Sequence, residues 1–301
     1  MKRFLLVLLF ALAFLGAGSF HQEAEAKRKV VPRSLLQRMP LRNPVVLVHG
    51  ATTKGSRLQI GWFNFGEYFQ NIPAYYRSTG TVVKTAELTT DGSIGERAAV
   101  LKNFIETEFP GQMVNIIAHS LGGLDARYAV SVLGCQQVAS ITTIGTPHYG
   151  SPLADWAERQ TRKGYPWYWF FRLMGYDMAK RRFLKEITTD FMKNTFNPKV
   201  LDSLDVRYFS VATYGSWDNF TMSHVFWMTS RWLEREENAL TEHGHDGMVP
   251  TDSMKWGKVI GTFESDHLGQ INHHEFRMTD QLDISYNIYT EIYDTLSKER
   301  L

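Results

Sequence analysis

Short continuous apolar runs alternate with longer amphipathic stretches along the middle of the chain. The run PVVLVHG (44–50) is rich in β-branched residues and ends in glycine, as expected for a strand buried on both faces. Similar runs predict strands at 81–88, 112–120, 138–147 and 206–213. Helical patterns lie between several of these runs. This order of elements predicts an α/β protein with a mostly parallel sheet.

The helical stretches carry start signals and periodic apolar positions. Ser93 precedes Glu96 by three residues, which is the pattern of a capping box at the start of a helix. Residues 66–79 have a partly helical pattern that Pro73 is expected to interrupt. A closing helix is predicted from apolar residues at every fourth position: Ile284, Ile288, Ile292 and Leu296.

The composition is that of a globular protein with room for a large core. The chain has 301 residues, of which 44% are hydrophobic and 13% aromatic. A formal net charge of +2 argues against a nucleic-acid partner, which normally requires a concentrated basic face. The single cysteine, Cys135, excludes an internal disulfide and is expected to be buried as an apolar residue.

The N-terminus has the organisation of a secretory signal peptide. Lys2 and Arg3 precede an apolar stretch at 4–16, and a small-x-small sequence, Ala-Glu-Ala, ends at Ala26. The apolar stretch is too short for an integral membrane span. We therefore predict a signal peptide at 1–26 and a secreted or periplasmic protein; an uncleaved anchoring segment is the alternative.

One serine stands where a predicted strand meets a predicted helix. The stretch NIIAHSLGGLDARY (115–128) places Ser120 between Ala118 and Gly122, one step from the G-x-S-x-G signature of a nucleophile elbow. The flanking positions must be small because the turn is tight. The pattern predicts that Ser120 is a nucleophile; a serine at an ordinary helix N-terminus is the alternative.

Candidate partners for that serine follow it in the chain. Proteins with a nucleophile elbow of this kind have the order serine, acid, histidine. Asp246, in HDGMVP, lies 126 residues after Ser120, and His267, in SDHL, lies a further 21 residues on. Ala51, after the strand-ending His-Gly pair, and Leu121 are the expected oxyanion donors. Other side chains could replace the acid or the base: Asp218, Asp252, Asp266, His273 and His274.

Five sequence blocks occur together, in the order VLVHG, VNIIAHSLGGLDARY, ITTIGTPHYGSPLAD, DGMVP and DHL. Residues 44–275, which contain them, resemble the secreted bacterial triacylglycerol lipases of the α/β-hydrolase fold. The resemblance implies a mostly parallel central sheet flanked by helices, with an inserted lid or cap. It also implies Ser120 as nucleophile, Asp246 as acid and His267 as base, with Ala51 and Leu121 as oxyanion donors.

The same resemblance implies hydrolysis of carboxylic ester bonds of lipids at a lipid–water interface, through an acyl-enzyme. A carboxylesterase, a phospholipase A or a polyester depolymerase would use the same three residues. A non-catalytic lipid-binding protein that keeps the hydrolase scaffold is an alternative of a different class. The sequence does not indicate whether a folding helper is needed.

We predict one domain over 27–301, with lid or cap insertions at about 152–205 and 214–243, where no strand–helix repeat is found. Aromatic stretches at 165–175 and 220–233 favour an apolar cover and acyl-binding wall. Ordinary core packing or an oligomer contact is the alternative. The expected substrate-binding residues are Trp62, Phe63, Phe65, Trp167, Trp169 and Phe170.

No cofactor is expected for chemistry of this kind. Many members of the resembled family bind a structural calcium through an acidic residue two positions after the catalytic histidine. Gly269 stands at that position here and is followed by Gln270, so a structural calcium is only an alternative. His243, His245 and Asp246 are close in sequence but do not supply a fourth metal ligand.

Overall fold

The computed structural model describes residues 38–51, 53–54, 56–60, 63–160, 182–219, 221–236, 239–273 and 283–301. The predicted signal peptide at 1–26 and the aromatic stretch at 165–175 lie outside the described residues. Among the described residues, no helix is long and apolar enough to cross a membrane.

The described residues form nine strands in two sheets. They are β1 Val45–Val48, β2 Thr53–Lys54, β3 Arg57–Ile60, β4 Phe63–Glu67, β5 Val83–Ala86, β6 Val114–His119, β7 Val138–Ile144, β8 Arg207–Tyr214 and β9 Lys258–Glu264. The larger sheet has six strands in the order β5-β1-β6-β7-β8-β9, and every neighbouring pair is parallel. The smaller sheet is an antiparallel β2-β3-β4 arrangement that follows β1 in the chain.

The sequence predicted five strands of the larger sheet and missed the others. Every residue of β1 and β6 is buried, as the continuous apolar runs indicated. The edge strand β9 was not predicted because it is only half-buried and has no apolar run. The small antiparallel sheet at 53–67 was not predicted either.

The described residues also form helices, some of which pack on the two faces of the larger sheet. They are α1 Ile72–Ser78, α2 Ile94–Glu108, α3 Leu121–Ser131, α4 Pro152–Gln160, α5 Phe183–Glu186, α6 Thr189–Phe191, α7 Asn197–Lys199, α8 Trp227–Leu233 and α9 Asp283–Lys298. A π-helical turn joins α6 to α7, and short 3₁₀ turns occupy His224–Phe226, Ala239–Thr241, Thr251–Met254 and Gly269–Ile271.

The predicted start of α2 is confirmed. The Ser93 hydroxyl accepts a hydrogen bond from the Glu96 amide, and the Glu96 carboxylate accepts one from the Ser93 amide, which together form a capping box. The interpretation of Pro73 was wrong. This proline lies in the first turn of α1, where its missing amide hydrogen breaks no helical hydrogen bond, so it begins the helix and does not interrupt it.

Side chains that alternate along the strands separate the core into two layers. On one face Leu47 and Ile117 pack with α1 and α9. On the other face Val46 and Ile116 pack with α2 and α3, and this layer contains Cys135, which is 1% exposed. The protein is therefore an α/β-hydrolase-type sandwich of helix, parallel sheet and helix, in which the carboxyl ends of the strands converge on one edge.

Candidate active site

Ser120 lies at a sharp turn between β6 and α3. Its backbone has φ 56° and ψ −130°, a conformation that costs a non-glycine residue on the order of 1–3 kcal/mol. The turn depends on glycines around it. A Cβ at Gly122 would lie 2.7 Å from the Val48 carbonyl oxygen, and one at Gly50 would lie 2.7 Å from the Ser120 Cβ. The sequence around Ser120 thus produces the strained elbow that the motif predicted.

The turn directs the Ser120 hydroxyl at the imidazole of His267. Ser120 Oγ and His267 Nε2 are 2.9 Å apart, and His267 Nδ1 lies 2.6 Å from Asp246 Oδ2. His267 is 9% exposed and Asp246 is fully buried, while Ser120 is partly exposed. Three residues spread over 147 positions of the chain therefore form one continuous hydrogen-bonded line that ends at the hydroxyl of a partly exposed residue.

The carboxylate of Asp246 is held in place by donors on both of its oxygens. Oδ1 accepts from the amides of Met248 (3.0 Å) and Val249 (2.8 Å), in the turn that follows Asp246. Oδ2 accepts from the Gln270 side-chain amide (2.6 Å) as well as from His267. Because each lone-pair direction has a partner, the carboxylate cannot rotate away from the imidazole without breaking several charge-assisted hydrogen bonds.

The other candidate acids and bases have different partners. Asp266 accepts hydrogen bonds from the amides of Ser223 and Gly269, so it ties the segment before α8 to the loop of His267. Asp252 pairs with Lys255 and with His243. Asp218 is exposed, and His273 Nε2 lies 3.0 Å from the Glu67 carbonyl oxygen. His274 lies outside the described residues. The structure therefore brings Ser120, Asp246 and His267 together in preference to these rivals.

The expected oxyanion donors are Leu121, which directly follows Ser120 in the chain, and Ala51. Leu121 is the first residue of α3, where amide hydrogens have no partner within the helix. Ala51 follows Gly50, whose backbone lies against the Ser120 side chain. The assignment of these two backbone amides as oxyanion donors stays a prediction.

The predicted acyl-binding residues are only partly described. Trp62, Trp167, Trp169 and Phe170 lie outside the described residues, and for Phe63 the structure describes only the backbone, in β4. Phe65 is half-buried and packs against the core layer of α1 and α9. A different aromatic, Phe226, lies against Gly247, the residue after Asp246: a Cβ at Gly247 would come within 2.7 Å of its ring. Trp227 follows it and is 46% exposed.

The described residues near His267 do not fit a metal ion. In the part of the chain that the structure describes, no group of three or more histidine, cysteine or acidic side chains could hold one. Gly269 offers no side-chain ligand, and the Gln270 amide is engaged with Asp246. His243 faces Asp252, whereas Asp246 faces His267, so neighbours in sequence point to different places.

A buried ion pair that was not predicted supports residues 49–51. We call this segment the oxyanion loop, after the role predicted for Ala51. Arg97 and Asp125, both fully buried, are 2.8 Å apart. Arg97 also donates to the carbonyl oxygens of His49 (2.9 Å) and Gly50 (3.2 Å), and a third bond reaches Thr89. The guanidinium thereby holds the backbone immediately before Ala51. The capping-box helix that carries Arg97 was visible in the sequence, but its buried arginine gave no local signal.

Several buried histidines surround this loop and the elbow. Burial, aided by the positive charge of Arg97, lowers the pKa of His49 to about 4. Burial also lowers the pKa of His119 and of His148 well below the usual value, with His267 and Arg127 adding to the respective effects. These imidazoles are therefore neutral in the folded protein at physiological pH.

We expect the protein to lose stability between pH 6.5 and 4. Unfolded histidine titrates near 6.5, so the unfolded chain binds more protons than the folded protein as the pH falls, which lowers the free energy of unfolding. The fall in the pKa of His49 to about 4 corresponds to about 3 kcal/mol. Burial raises the pKa of Asp125 to about 6, which acts in the opposite direction. The lowered pKa values of His119 and His148 add to the effect of His49, so the free energy of unfolding falls overall.

Urea unfolding followed by tryptophan fluorescence measures this effect without reference to catalysis. The midpoint should be flat from pH 8 to 7 and should fall steadily below pH 6.5. A midpoint unchanged at pH 4.5 would show that the buried imidazoles are protonated without cost, contrary to their environment.

The chain is similar to known lipases in sequence. Triacylglycerol lipase 2 of Saccharomyces cerevisiae is 31% identical to the chain, over 77% of this chain and 74% of that protein. The chain belongs to the triacylglycerol lipase family. Lipases of Pseudarthrobacter phenanthrenivorans and Burkholderia plantarii are each 37% identical over 39% of the chain, and these matches span 37% and 33% of the two proteins. The model of the PGAP1-like alpha/beta domain matches residues 93–239.

Solved structures show the same fold as this lipase-family chain. The Bacillus licheniformis lipase in its mature form has a TM-score of 0.62 at 20% identity and covers 86% of this chain and 94% of its own. The Staphylococcus hyicus lipase has a TM-score of 0.63 at 18% identity and covers 85% and 95%. The predicted α/β-hydrolase fold and the resemblance to lipases are thus confirmed.

Proposed function

We propose that the protein is a secreted serine hydrolase that cleaves carboxylic ester bonds of lipids, and that triacylglycerols are its main substrates. The observation that carries the proposal is the line from Ser120 Oγ through His267 to the buried Asp246, with separations of 2.9 and 2.6 Å. Membership of the triacylglycerol lipase family supports the choice of ester hydrolysis. The sequence pattern of residues 1–26 supports export.

The proposed reaction begins with attack of Ser120 Oγ on the ester carbonyl carbon. His267 Nε2 takes the hydroxyl proton, while Asp246 keeps the Nδ1 hydrogen in place and stabilises the imidazolium. The carbonyl oxygen becomes negative and is held by the amides of Ala51 and Leu121. Each such donor contributes roughly 3–4 kcal/mol to lowering the barrier.

Collapse of this intermediate breaks the bond to the alcohol oxygen, which leaves with the proton from His267. The acyl group remains on Ser120. A water molecule then gives a proton to His267 and attacks the acyl carbon, and the fatty acid leaves as Ser120 Oγ recovers its proton. Hydroxyl, imidazole and carboxylate supply every proton transfer in this scheme, so we propose no cofactor.

Apolar side chains beside the triad support a lipid substrate. Met222 and Phe226 contact the turn at Gly247, next to the catalytic acid, and Trp227 exposes nearly half of its surface. Asp266 holds this segment to the loop of His267 through Ser223. We propose that the insertion at 214–243 forms part of the wall over the cleft, with the insertion at 152–205 completing a lid.

A phosphonate inhibitor with a p-nitrophenyl leaving group tests the nucleophile. We expect attack by Ser120 to release one equivalent of p-nitrophenolate and to leave the phosphonyl group on the peptide that contains Ser120. Intact-mass and peptide mass spectrometry measure both. In the His267→Gln variant labelling should be at least 100-fold slower, because the base is missing. Labelling at another residue, or none, would contradict the assignment.

A substrate profile separates lipid hydrolysis from related activities. Emulsified long-chain triacylglycerols, phosphatidylcholine vesicles and a soluble p-nitrophenyl butyrate are compared with and without a chelator. The proposal expects the emulsion to be hydrolysed fastest and the chelator to have no effect. Activity confined to the soluble ester would favour a carboxylesterase, and preference for the vesicles a phospholipase A.

A further inference from the structure

A second line of buried hydrogen bonds runs behind the triad, from the oxyanion loop to Asp246. The Gly50 amide donates to the Tyr68 hydroxyl (3.0 Å), which lies 2.7 Å from His119 Nδ1. His119 Nε2 is 2.8 Å from Gln270 Oε1, and Gln270 Nε2 is 2.6 Å from Asp246 Oδ2. The side chains of Tyr68, His119 and Gln270 belong to residues no more than 2% exposed.

Only one placement of the hydrogens gives every hydrogen bond in this line one donor and one acceptor. The ionised carboxylate of Asp246 is an acceptor, so Gln270 must present its amide nitrogen to it and its oxygen to His119. His119 then carries its hydrogen on Nε2 and accepts at Nδ1 from the Tyr68 hydroxyl. Tyr68 in turn accepts from Gly50. All donors therefore point in the same direction, from the oxyanion loop towards the acid, and such lines strengthen cooperatively.

The neutral state of His119 fits this arrangement. Its complete burial holds its pKa well below the usual range, so one ring nitrogen remains an acceptor. Its ring also packs against His267, with 4.6 Å between the ring centroids. A protonated His119 would carry hydrogens on both ring nitrogens, so its Nδ1 could no longer accept the hydrogen bond from the Tyr68 hydroxyl.

The backbone leaves space for the amide of Gln270. Gly145, directly after β7, has φ +60°, and a Cβ there would lie 2.1 Å from Gln270 Oε1. Thr213, in β8, accepts a second hydrogen bond from Gln270 Nε2. Contacts at the ends of β7 and β8 thus fix both the position and the orientation of the Gln270 side chain.

We propose that Gln270 is a positioning residue that couples the acid of the triad to the oxyanion loop through His119 and Tyr68. Its amide holds Asp246 Oδ2 towards His267, and the rest of the line holds Gly50, the residue before the donor Ala51. This inference rests on the proposed function. It adds that the base and the oxyanion hole are aligned as one unit.

Gln270→Met keeps the volume of the side chain and removes its hydrogen bonds. We expect kcat for p-nitrophenyl butyrate to fall about 10- to 100-fold, as loss of a hydrogen bond to a charged group predicts, with KM changed less than threefold. Tyr68→Phe breaks the line at its other end, and a fall of similar size is expected. Since both act through one line, the double variant should lose little more than Gln270→Met alone.

A proton NMR signal reports the alignment directly. The hydrogen between His267 Nδ1 and Asp246 resonates at low field when this bond is short, and it should move upfield or broaden in Gln270→Met. Gln137→Met is the matched control. Gln137 also donates its amide to carbonyl oxygens, those of Phe109 and Gln112, but at the far end of β7, so kcat and the low-field signal should not change.

The outcomes separate this inference from the proposed function. If the wild-type protein hydrolyses none of the esters, the proposed function fails. If the wild type is active and folded Gln270→Met keeps kcat within twofold, the inference is overturned, and losses that multiply in the double variant overturn the coupling. Should Gln270→Met not fold, Tyr68→Phe decides alone: a fall in kcat at constant KM supports the line, and unchanged kcat overturns it.

Discussion

Replacing Ser120 with alanine is expected to lower kcat for ester hydrolysis by about 10⁵-fold or more, because no acyl-enzyme can form. The hydroxyl ends the hydrogen-bonded line, and it belongs to a residue that is partly exposed. The fold should not change, since alanine keeps the Cβ at the elbow and removes one oxygen atom. Initial rates on p-nitrophenyl butyrate and the thermal unfolding midpoint measure the two effects.

Two further serine variants test whether the loss of activity is due to the Ser120 hydroxyl itself. Ser131→Ala removes a hydroxyl at the other end of α3, where it donates to the Leu201 carbonyl oxygen, and should keep full activity. Ser120→Gly should be inactive and more stable than Ser120→Ala by about 1 kcal/mol. Relief of the strain at φ 56° exceeds the entropic cost of glycine. Activity of Ser120→Ala near the wild-type level would refute the role of Ser120.

The largest loss of stability is expected from Arg97→Leu, at about 3–5 kcal/mol. Removing the guanidinium leaves Asp125 as a buried charge without its cation and removes donors from the carbonyl oxygens of His49 and Gly50. The unfolding midpoint should fall by roughly 5–8 °C. Calorimetry or circular dichroism at pH 7.5 measures it.

Lys102→Ala is the control for this prediction. Lys102 forms an ion pair with Glu106 on the exposed face of the same helix, and both side chains remain in contact with water. Surface pairs of this kind contribute less than about 1 kcal/mol, so the midpoint should barely move. If Arg97→Leu were no more destabilising than Lys102→Ala, the buried pair would have no special part in holding the oxyanion loop.

The central sheet could be predicted because its strands are continuous apolar runs. β1 and β6 are buried on both faces, and this burial requires the β-branched residues that the sequence displays. β9 lies at the edge of the sheet, where polar side chains are tolerated, so its sequence KVIGTFE carries no distinct pattern. The strands β2 to β4 are short and antiparallel, and they are stabilised by pairing with each other.

The three proposed catalytic residues were found from short motifs because the elbow and the two loops impose local constraints. Gly122 is needed for close packing, and Asp246 begins a turn closed by the amides of Met248 and Val249. Gln270 and Arg97 gave no such signal. Gln270 meets His119 across 151 positions of the chain, and contacts of this kind depend on how the sheet brings distant loops together.

Cys135 is the one cysteine in 301 residues, and it is buried. Thiol reagents therefore find no accessible thiol on the folded protein. A cysteine introduced at position 227, which is exposed in the wild-type protein, would then react with a maleimide fluorophore almost exclusively. A dye at that place would sense contact with oil droplets or detergent micelles, and it would convert arrival at a lipid surface into an optical signal.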